Sequence, residues 1–282
     1  MKFLTYKHQG KVSYGAVVDD GVVDLGKKFG KKYPSLRAAI KAGALEDLKK
    51  AVKGKKPDVK LSKISYLPVL PDARKIICVG LNYKAHREET GRPDTEHPTL
   101  FVRFADSQMG HNQPMLRPKE SDRLDWEGEL VVVIGKSGRR IPRDKAMKHV
   151  AGYSIYNDGS VRDWQRHTTQ FTPGKNFPST GGFGPWLVTA DEIKDITAQT
   201  LTTRVNGVVK QQSQIDMMIF DIPALITYIS GFTNLNAGDV IVTGTPGGVG
   251  AARNPPEFMK PGDVVEVEIT GIGTLRNPVK AG

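Results

Sequence analysis

Short apolar runs separated by Gly, Pro, Asn and Asp dominate the chain, a pattern that predicts a strand-rich protein. Near the start, Lys2–Tyr6, Tyr14–Val18 and Val22–Asp24 read as three short strands, with Asp19-Asp20-Gly21 as a hairpin turn. Leu36–Ala51 carries apolar residues at helical spacing, broken by Gly43, and predicts one or two helices. Residues 1–66 thus form a small α+β module, and Pro68 and Pro71 mark a connector. The domain boundary is placed at residue 70, giving a small domain 1–70 and a larger domain 71–282.

The larger domain opens with Lys75–Gly80 (KIICVG), a continuous apolar run of the kind a buried strand shows. Leu130–Gly135, Val150–Tyr156, Leu201–Val205 and Val240–Thr243 are further β-rich runs, and Val264–Ile269 (VVEVEI) alternates as a strand with one wet face does. Helical pieces are fewer: the segment after Asn82, one near Asp163–His167, and Ile222–Ser230, where Ile222, Leu225, Ile226 and Ile229 share a face. No internal repeat is evident. The fold class is mixed α/β, dominated by β structure, without a regular β-α-β alternation.

Composition narrows the setting. The chain has 282 residues, and no apolar stretch approaches the roughly 20 residues that span a bilayer. Its first residues, MKFLTYKH, lack the apolar core of a signal peptide. Cys78 is the only cysteine, which excludes an intramolecular disulfide, and its apolar surroundings predict a buried side chain. These features point to the cytoplasm. The net charge of +11 gathers partly in Lys27–Lys32 and Lys49–Lys56, without a zinc-finger or helix-turn-helix pattern. A solvated basic face that can steer an anionic substrate is expected, with neither nucleic acid nor membrane as partner.

Three stretches carry chemistry. In Asp125-Trp126-Glu127-Gly128-Glu129-Leu130, Glu127 and Glu129 lie two apart at the entrance to an apolar strand and so point the same way. Two adjacent anions repel unless a cation lies between them, and a hard divalent ion such as Mg²⁺ favours that oxygen set. Asp158, between Asn157 and Gly159, is a candidate third ligand, with a turn or N-cap role as the plainer reading. Arg162 and Gln165 follow at helical spacing and would offer a cation and an amide to an oxygen-rich anion. In Gly80-Leu81-Asn82-Tyr83-Lys84-Ala85-His86-Arg87-Glu88-Glu89, His86 and Glu89 are three apart on one helical face, so the carboxylate can orient the imidazole as a base. Tyr83 is a further candidate substrate contact.

From about Ile76 to Val279 these blocks, in order, resemble the fumarylacetoacetate hydrolase superfamily, which includes acylpyruvate hydrolases, oxaloacetate decarboxylases and 2-hydroxymuconate-type isomerases. The likeness includes G-L-N-Y-x-x-H-x-x-E, D-W-E-G-E-L-V-V-V-I-G, N-D-G-S-V-R-D-W-Q, P-G-K-N-F and G-D-V-I-V-T-G-T-P-G-G-V-G. It implies a β-sandwich-like roll after a small N-terminal domain, a homodimer, and Mg²⁺ or Mn²⁺ held by Glu127, Glu129 and Asp158. It also implies a catalytic His86–Glu89 dyad on a short lid helix, an active-site lysine at Lys175 and a substrate-contacting threonine at Thr245. Asn82 stands near where the eukaryotic hydrolases place another aspartate ligand, and Arg103 where many relatives carry lysine. His111, within Asp106–Met115, reads as a loop histidine.

The expected reaction is hydrolysis of the C3–C4 bond of a 2,4-dioxo acid, an acylpyruvate or fumarylpyruvate, through a pyruvate enolate. The metal steadies the enolate, Lys175 assists, and Arg162, Gln165 or Arg103 holds the carboxylate. Decarboxylation of oxaloacetate and 2-hydroxymuconate-type isomerisation share that enolate and stand as alternatives. A non-catalytic basic binding protein is a distant alternative, set aside because all three acidic ligands are present.

Overall fold

The computed structural model describes residues 1–282, and the strand Gly128–Ile134 runs through its centre, buried at every position. Successive side chains on a strand point to opposite faces. Leu130, Val132 and Ile134 therefore pack into one apolar cluster, and Val131 and Val133 into another. Both faces are covered, which is why the run is continuously apolar rather than alternating.

This strand belongs to a twelve-stranded sheet whose main order is Val59–Lys60, Gly21–Asp24, Lys11–Val18, Lys2–His8, Gly181–Thr189, Val150–Asp158, Gly128–Ile134, Val240–Val242, Ile76–Gly80 and Thr99–Arg103. The first four come from the N-terminal module, and Lys2–His8 joins the rest by pairing Phe3 with Leu187. The segment change near residue 70 therefore interrupts neither the sheet nor its core. Phe3, Leu36, Ile40 and Leu48 share one cluster with Val131, Val133 and Val242.

On the opposite face lies a five-stranded sheet, Val208–Gln214, Thr200–Val205, Val264–Ile269, Gly273–Ala281 and Met115–Arg117. Leu201, Val267, Ile269 and Leu275 from it meet Leu130, Val132 and Ile155. Full burial of each such side chain contributes about 1.5–3 kcal/mol, enough to set the strand register. The result is two packed sheets, with the N-terminal helices covering the outer face of the larger one and the helix Ile222–Phe232 packing into the cluster the two sheets share, the mixed, strand-dominated architecture expected.

The N-terminal helix region resolves into Leu36–Lys41, capped by Ser35, and Leu45–Val52, with Gly43 at φ +68° between them. Ile222–Phe232 is a helix capped by Asp221. Val208–Gln214 (VVKQQSQ) is a strand that polarity hides from the sequence pattern, because most of its side chains remain at least partly exposed. Cys78 is fully buried, and desolvation together with nearby Asp158 and Glu129 pushes its thiol pKa up. No helix is long and apolar enough to cross a membrane.

Candidate active site

The alternation that buries the central strand also aims its first residues. Gly128 faces the second sheet so closely that a Cβ would lie 2.1 Å from Thr203 Oγ1 and 2.9 Å from Val267 Cγ1. Only glycine fits there, and Glu127 and Glu129 on either side consequently point to the other face. In the neighbouring antiparallel strand, Glu129 pairs with Tyr156 and Gly128 with Asn157, while Asp158 N–H donates to the Glu127 carbonyl at 2.8 Å. Asp158 thus stands opposite Glu127 and shares its face. Glu127, Glu129 and Asp158 are all buried, and their ligand atoms lie within 4.8 Å of one another. Residues from two separated segments converge as expected.

Buried cations surround this cluster. Lys175 Nζ lies 2.5 Å from Glu127 Oε2 and 2.7 Å from Asp158 Oδ2. It arrives on the short helix Thr172–Lys175, whose Gly174 is pressed against the backbone of Gln165, where a Cβ would sit 2.3 Å from the amide nitrogen. Arg162 forms an ion pair with Glu127 Oε1 at 2.7 Å and donates to Asp125 Oδ2 at 2.8 Å and to Gln165 Oε1 at 2.9 Å. Arg103 donates to Asp158 Oδ1 at 2.6 Å and also bonds Gly159 O and Thr180 Oγ1. From the sequence, Arg103 is one of three candidate contacts for the substrate carboxylate, beside Arg162 and Gln165. The wholly buried Arg103 guanidinium instead braces Asp158: Nη1 donates to Asp158 and Gly159 and Nη2 to Thr180, while Nε has no partner. Arg162 turns Nε to Asp125 and Nη1 to Glu127 and Gln165, leaving Nη2 without a partner.

Charge bookkeeping then decides what the cluster wants. Asp125, Glu127, Glu129 and Asp158 are four buried carboxylates against three buried cations, Arg103, Arg162 and Lys175. With all four ionised, one negative charge would be in excess. Burial would raise the Glu127 pKa, but Lys175 and Arg162 pull it down to about 2. Glu129 goes the other way: desolvation first, then Asp158 and Glu127, push its carboxyl well above the usual range. Lys175 stays a cation, because Asp158 and Glu127 outweigh the burial that opposes its charge. Three converging carboxylates whose joint ionisation would leave surplus negative charge in a dry site fit a hard divalent cation. Bound there, it would turn the excess of one negative charge into one positive, which suits an anionic substrate.

The second component is the His86–Glu89 pair on the helix Lys84–Glu89. Glu89 Oε1 is 2.7 Å from His86 Nδ1, and its Oε2 accepts the Gly248 N–H at 2.7 Å. Gly244, in the same Thr243–Gly248 loop, donates its N–H to Glu129 Oε2 at 2.5 Å. One loop therefore touches both the acidic cluster and the dyad. Thr245 is buried in that loop, its hydroxyl donating to Gly128 O at 2.9 Å.

The remaining expected residues fall apart from these two groups or support them. Tyr83 is packed in the core between the sheets, 1% exposed, with a hydroxyl that has no hydrogen-bond partner. His111 packs edge-on against Tyr66 and accepts the Arg276 N–H at 3.1 Å, remote from any carboxylate contact. Sequence reasoning missed Asp125, which accepts the N–H groups of Trp126, Gly250 and Ala251 in addition to Arg162. An acidic residue between Leu124 and Trp126 was the available signal. It also left Asn82 without a role: its amide bonds Phe220 O and Thr243 O, and its oxygen accepts Phe220 N–H.

Comparison with known proteins places the chain in a family. Residues 75–280 match the family described as fumarylacetoacetate (FAA) hydrolase C-terminal. The mitochondrial oxaloacetate tautomerase of Xenopus laevis is 43% identical over 238 residues, covering 84% of this chain and 75% of that protein. Among solved structures, the fumarylacetoacetate hydrolase of Exiguobacterium antarcticum superposes with a TM-score of 0.84 at 34% identity, covering 100% of both chains. A 5-carboxymethyl-2-hydroxymuconate delta-isomerase from Mycobacterium smegmatis gives 0.79 at 31% identity, covering 100% of this chain and 99% of that one. With most of its length matched and its acidic cluster and dyad in place, the chain belongs to the fumarylacetoacetate hydrolase family.

Proposed function

We propose that this chain is a divalent-metal-dependent enzyme acting on a small anionic 2-oxo acid through its enol or enolate, with tautomerisation of oxaloacetate or a similar 2-oxo diacid as its reaction. The observation that carries the reading is the buried cluster of Glu127, Glu129 and Asp158, whose joint ionisation would leave one negative charge in excess, beside a carboxylate-oriented imidazole. The tautomerase reading draws on the similarity to the Xenopus laevis oxaloacetate tautomerase. These three carboxylates would hold Mg²⁺ or Mn²⁺, which supplies Lewis-acid stabilisation of negative charge on the 2-oxo oxygen.

The residues then have separable jobs. Glu89 accepts from Nδ1 of His86, so the other ring nitrogen, Nε2, carries the lone pair that takes a proton. In tautomerisation, that proton leaves C3 as the C2 carbonyl becomes an enol, and the reverse step returns it. Lys175, held cationic by Asp158 and Glu127, would donate a hydrogen bond or proton to a developing oxyanion. Arg103, Arg162 and Asp125 keep the ligand carboxylates in position.

Hydrolysis of a 2,4-dioxo acid is the second reading, favoured by the same dyad, which suits proton abstraction from water as well as from carbon. Water would add at C4, the C3–C4 bond would break, and the pyruvate enolate would be protonated at C3. The similarity to the Exiguobacterium antarcticum hydrolase belongs to this reading. Purified protein loaded with Mn²⁺ or Mg²⁺ and offered oxaloacetate enol and a series of acylpyruvates separates the two. Equal turnover by chelator-treated protein would remove the metal from the reaction, and no acceleration of enol-to-keto conversion would remove the tautomerase assignment.

A further inference from the structure

Gln211 lies in the second sheet, on the strand Val208–Gln214, and is 1% exposed. Its carbonyl Oε1 accepts the Gly128 N–H at 3.0 Å, between the two clustered glutamates. Its Nε2 donates to Thr245 Oγ1 and to Pro246 O, each at 2.8 Å. Thr245 Oγ1 in turn donates to Gly128 O at 2.9 Å. A closed circuit of hydrogen bonds thus runs from Gly128 through Gln211 and Thr245 back to Gly128.

The circuit fastens the loop whose two ends meet the chemistry, Gly244 N–H on Glu129 and Gly248 N–H on Glu89. It demands one acceptor and two donors from a single buried neutral side chain. A carboxamide has that inventory; a carboxylate lacks the donors and an ammonium lacks the acceptor. Burying such a group without its partners is costly, so its full satisfaction fixes the geometry it spans.

Resting on the metal-dependent reading above, we infer that Gln211 is a positioning residue that ties the Glu127-Gly128-Glu129 backbone to the Thr243–Gly248 loop, so that the acidic cluster and the His86–Glu89 dyad are set together. It touches neither the ligand carboxylates nor the imidazole. Its influence reaches the first through Gly128 and Gly244, and the second through Gly248.

Gln211→Met keeps the length of the side chain and removes all three hydrogen bonds. For the purified full-length variant, Mn²⁺ Kd by calorimetry should rise about 10- to 100-fold, the cost usual for partners behind metal ligands. Amide exchange should quicken at both Gly244 and Gly248, and kcat should fall more than KM changes. Thr245→Val removes two hydrogen bonds of the circuit, those to Gln211 and to Gly128 O, but leaves Gln211 on Gly128 N–H and Pro246 O. It should shift Kd and exchange in the same direction by less, and it decides the matter if Gln211→Met does not fold. A folded variant with wild-type Mn²⁺ Kd and wild-type exchange at both glycines overturns the inference while leaving the metal-dependent reading intact. Failure of the wild-type protein to bind Mn²⁺ overturns that reading, and the inference with it.

Discussion

Nζ of Lys175 reaches Oε2 of Glu127 at 2.5 Å, and the same ammonium bonds Asp158, so one buried cation spans two of the three clustered carboxylates. Charge compensation at the centre of the fold is therefore built partly from the chain itself. A bound dication would supply the rest, and the balance between the two can be tested.

Lys175→Met removes the ammonium and leaves Glu127 and Asp158 to repel. Breaking a buried pair from one side typically costs about 3–5 kcal/mol. Denaturant unfolding of the chelator-treated variant should show a loss of that order, and Mn²⁺ should restore part of it by binding the folded state. A variant as stable as wild type without metal would show that Lys175 carries little of the compensation.

Glu129 gives the protein a distinctive pH dependence. Its folded-state pKa is raised by burial and by Asp158 and Glu127, so the folded protein binds a proton that the unfolded chain releases more readily. The stability this contributes is present below the ordinary carboxylate range and is lost as pH rises toward the raised value. Thermal unfolding of metal-free protein should show that decline, and Glu129→Gln should flatten it. Because the cation must displace the proton, Mn²⁺ should bind more tightly as pH rises.

His86→Gln should leave Mn²⁺ Kd near wild type and lower kcat by about 10²–10⁴-fold, the usual contribution of a general base. Glu89→Gln keeps the imidazole and weakens its orientation, so a smaller loss is expected. Measured on oxaloacetate and on an acylpyruvate, the pair of variants shows whether one base serves both substrates. Undiminished turnover by His86→Gln on both would place the base elsewhere.

His111 carries a separate acid lability. Burial, with Arg276 nearby, lowers its pKa from 6.5 to about 4, so the folded protein holds it neutral. The unfolded chain takes up the proton first, and stability falls as pH drops from about 6.5 toward about 4. His111→Gln should shrink that slope in thermal unfolding without altering kcat, because the ring contacts Tyr66 and the Arg276 amide instead of the acidic cluster. A fall in kcat would connect His111 to the chemistry after all.

How much of this the sequence shows depends on how local the cause is. Glu127 and Glu129 were legible as a pair because strand alternation alone makes residues two apart share a face. The apolar run Leu130–Ile134 and the helical spacing of Ile222–Ile229 were legible for the same reason. Val208–Gln214 was not, since its role is set by hydrogen bonding to a neighbour rather than by apolar burial. Gln211 had no local signal for that reason: its partners, Gly128, Thr245 and Pro246, lie far away along the chain.

By itself the sequence determined the strand-rich class, the paired glutamates and the histidine–glutamate spacing, because each follows from repeat distances along one element. Only the tertiary structure decided that Arg103 and Arg162 brace the clustered carboxylates, that Asp158 stands opposite Glu127, and that one loop links cluster to dyad. Those relationships depend on strand register and on how closely two sheets approach, which is fixed when distant apolar side chains pack and is written in no single stretch of the chain.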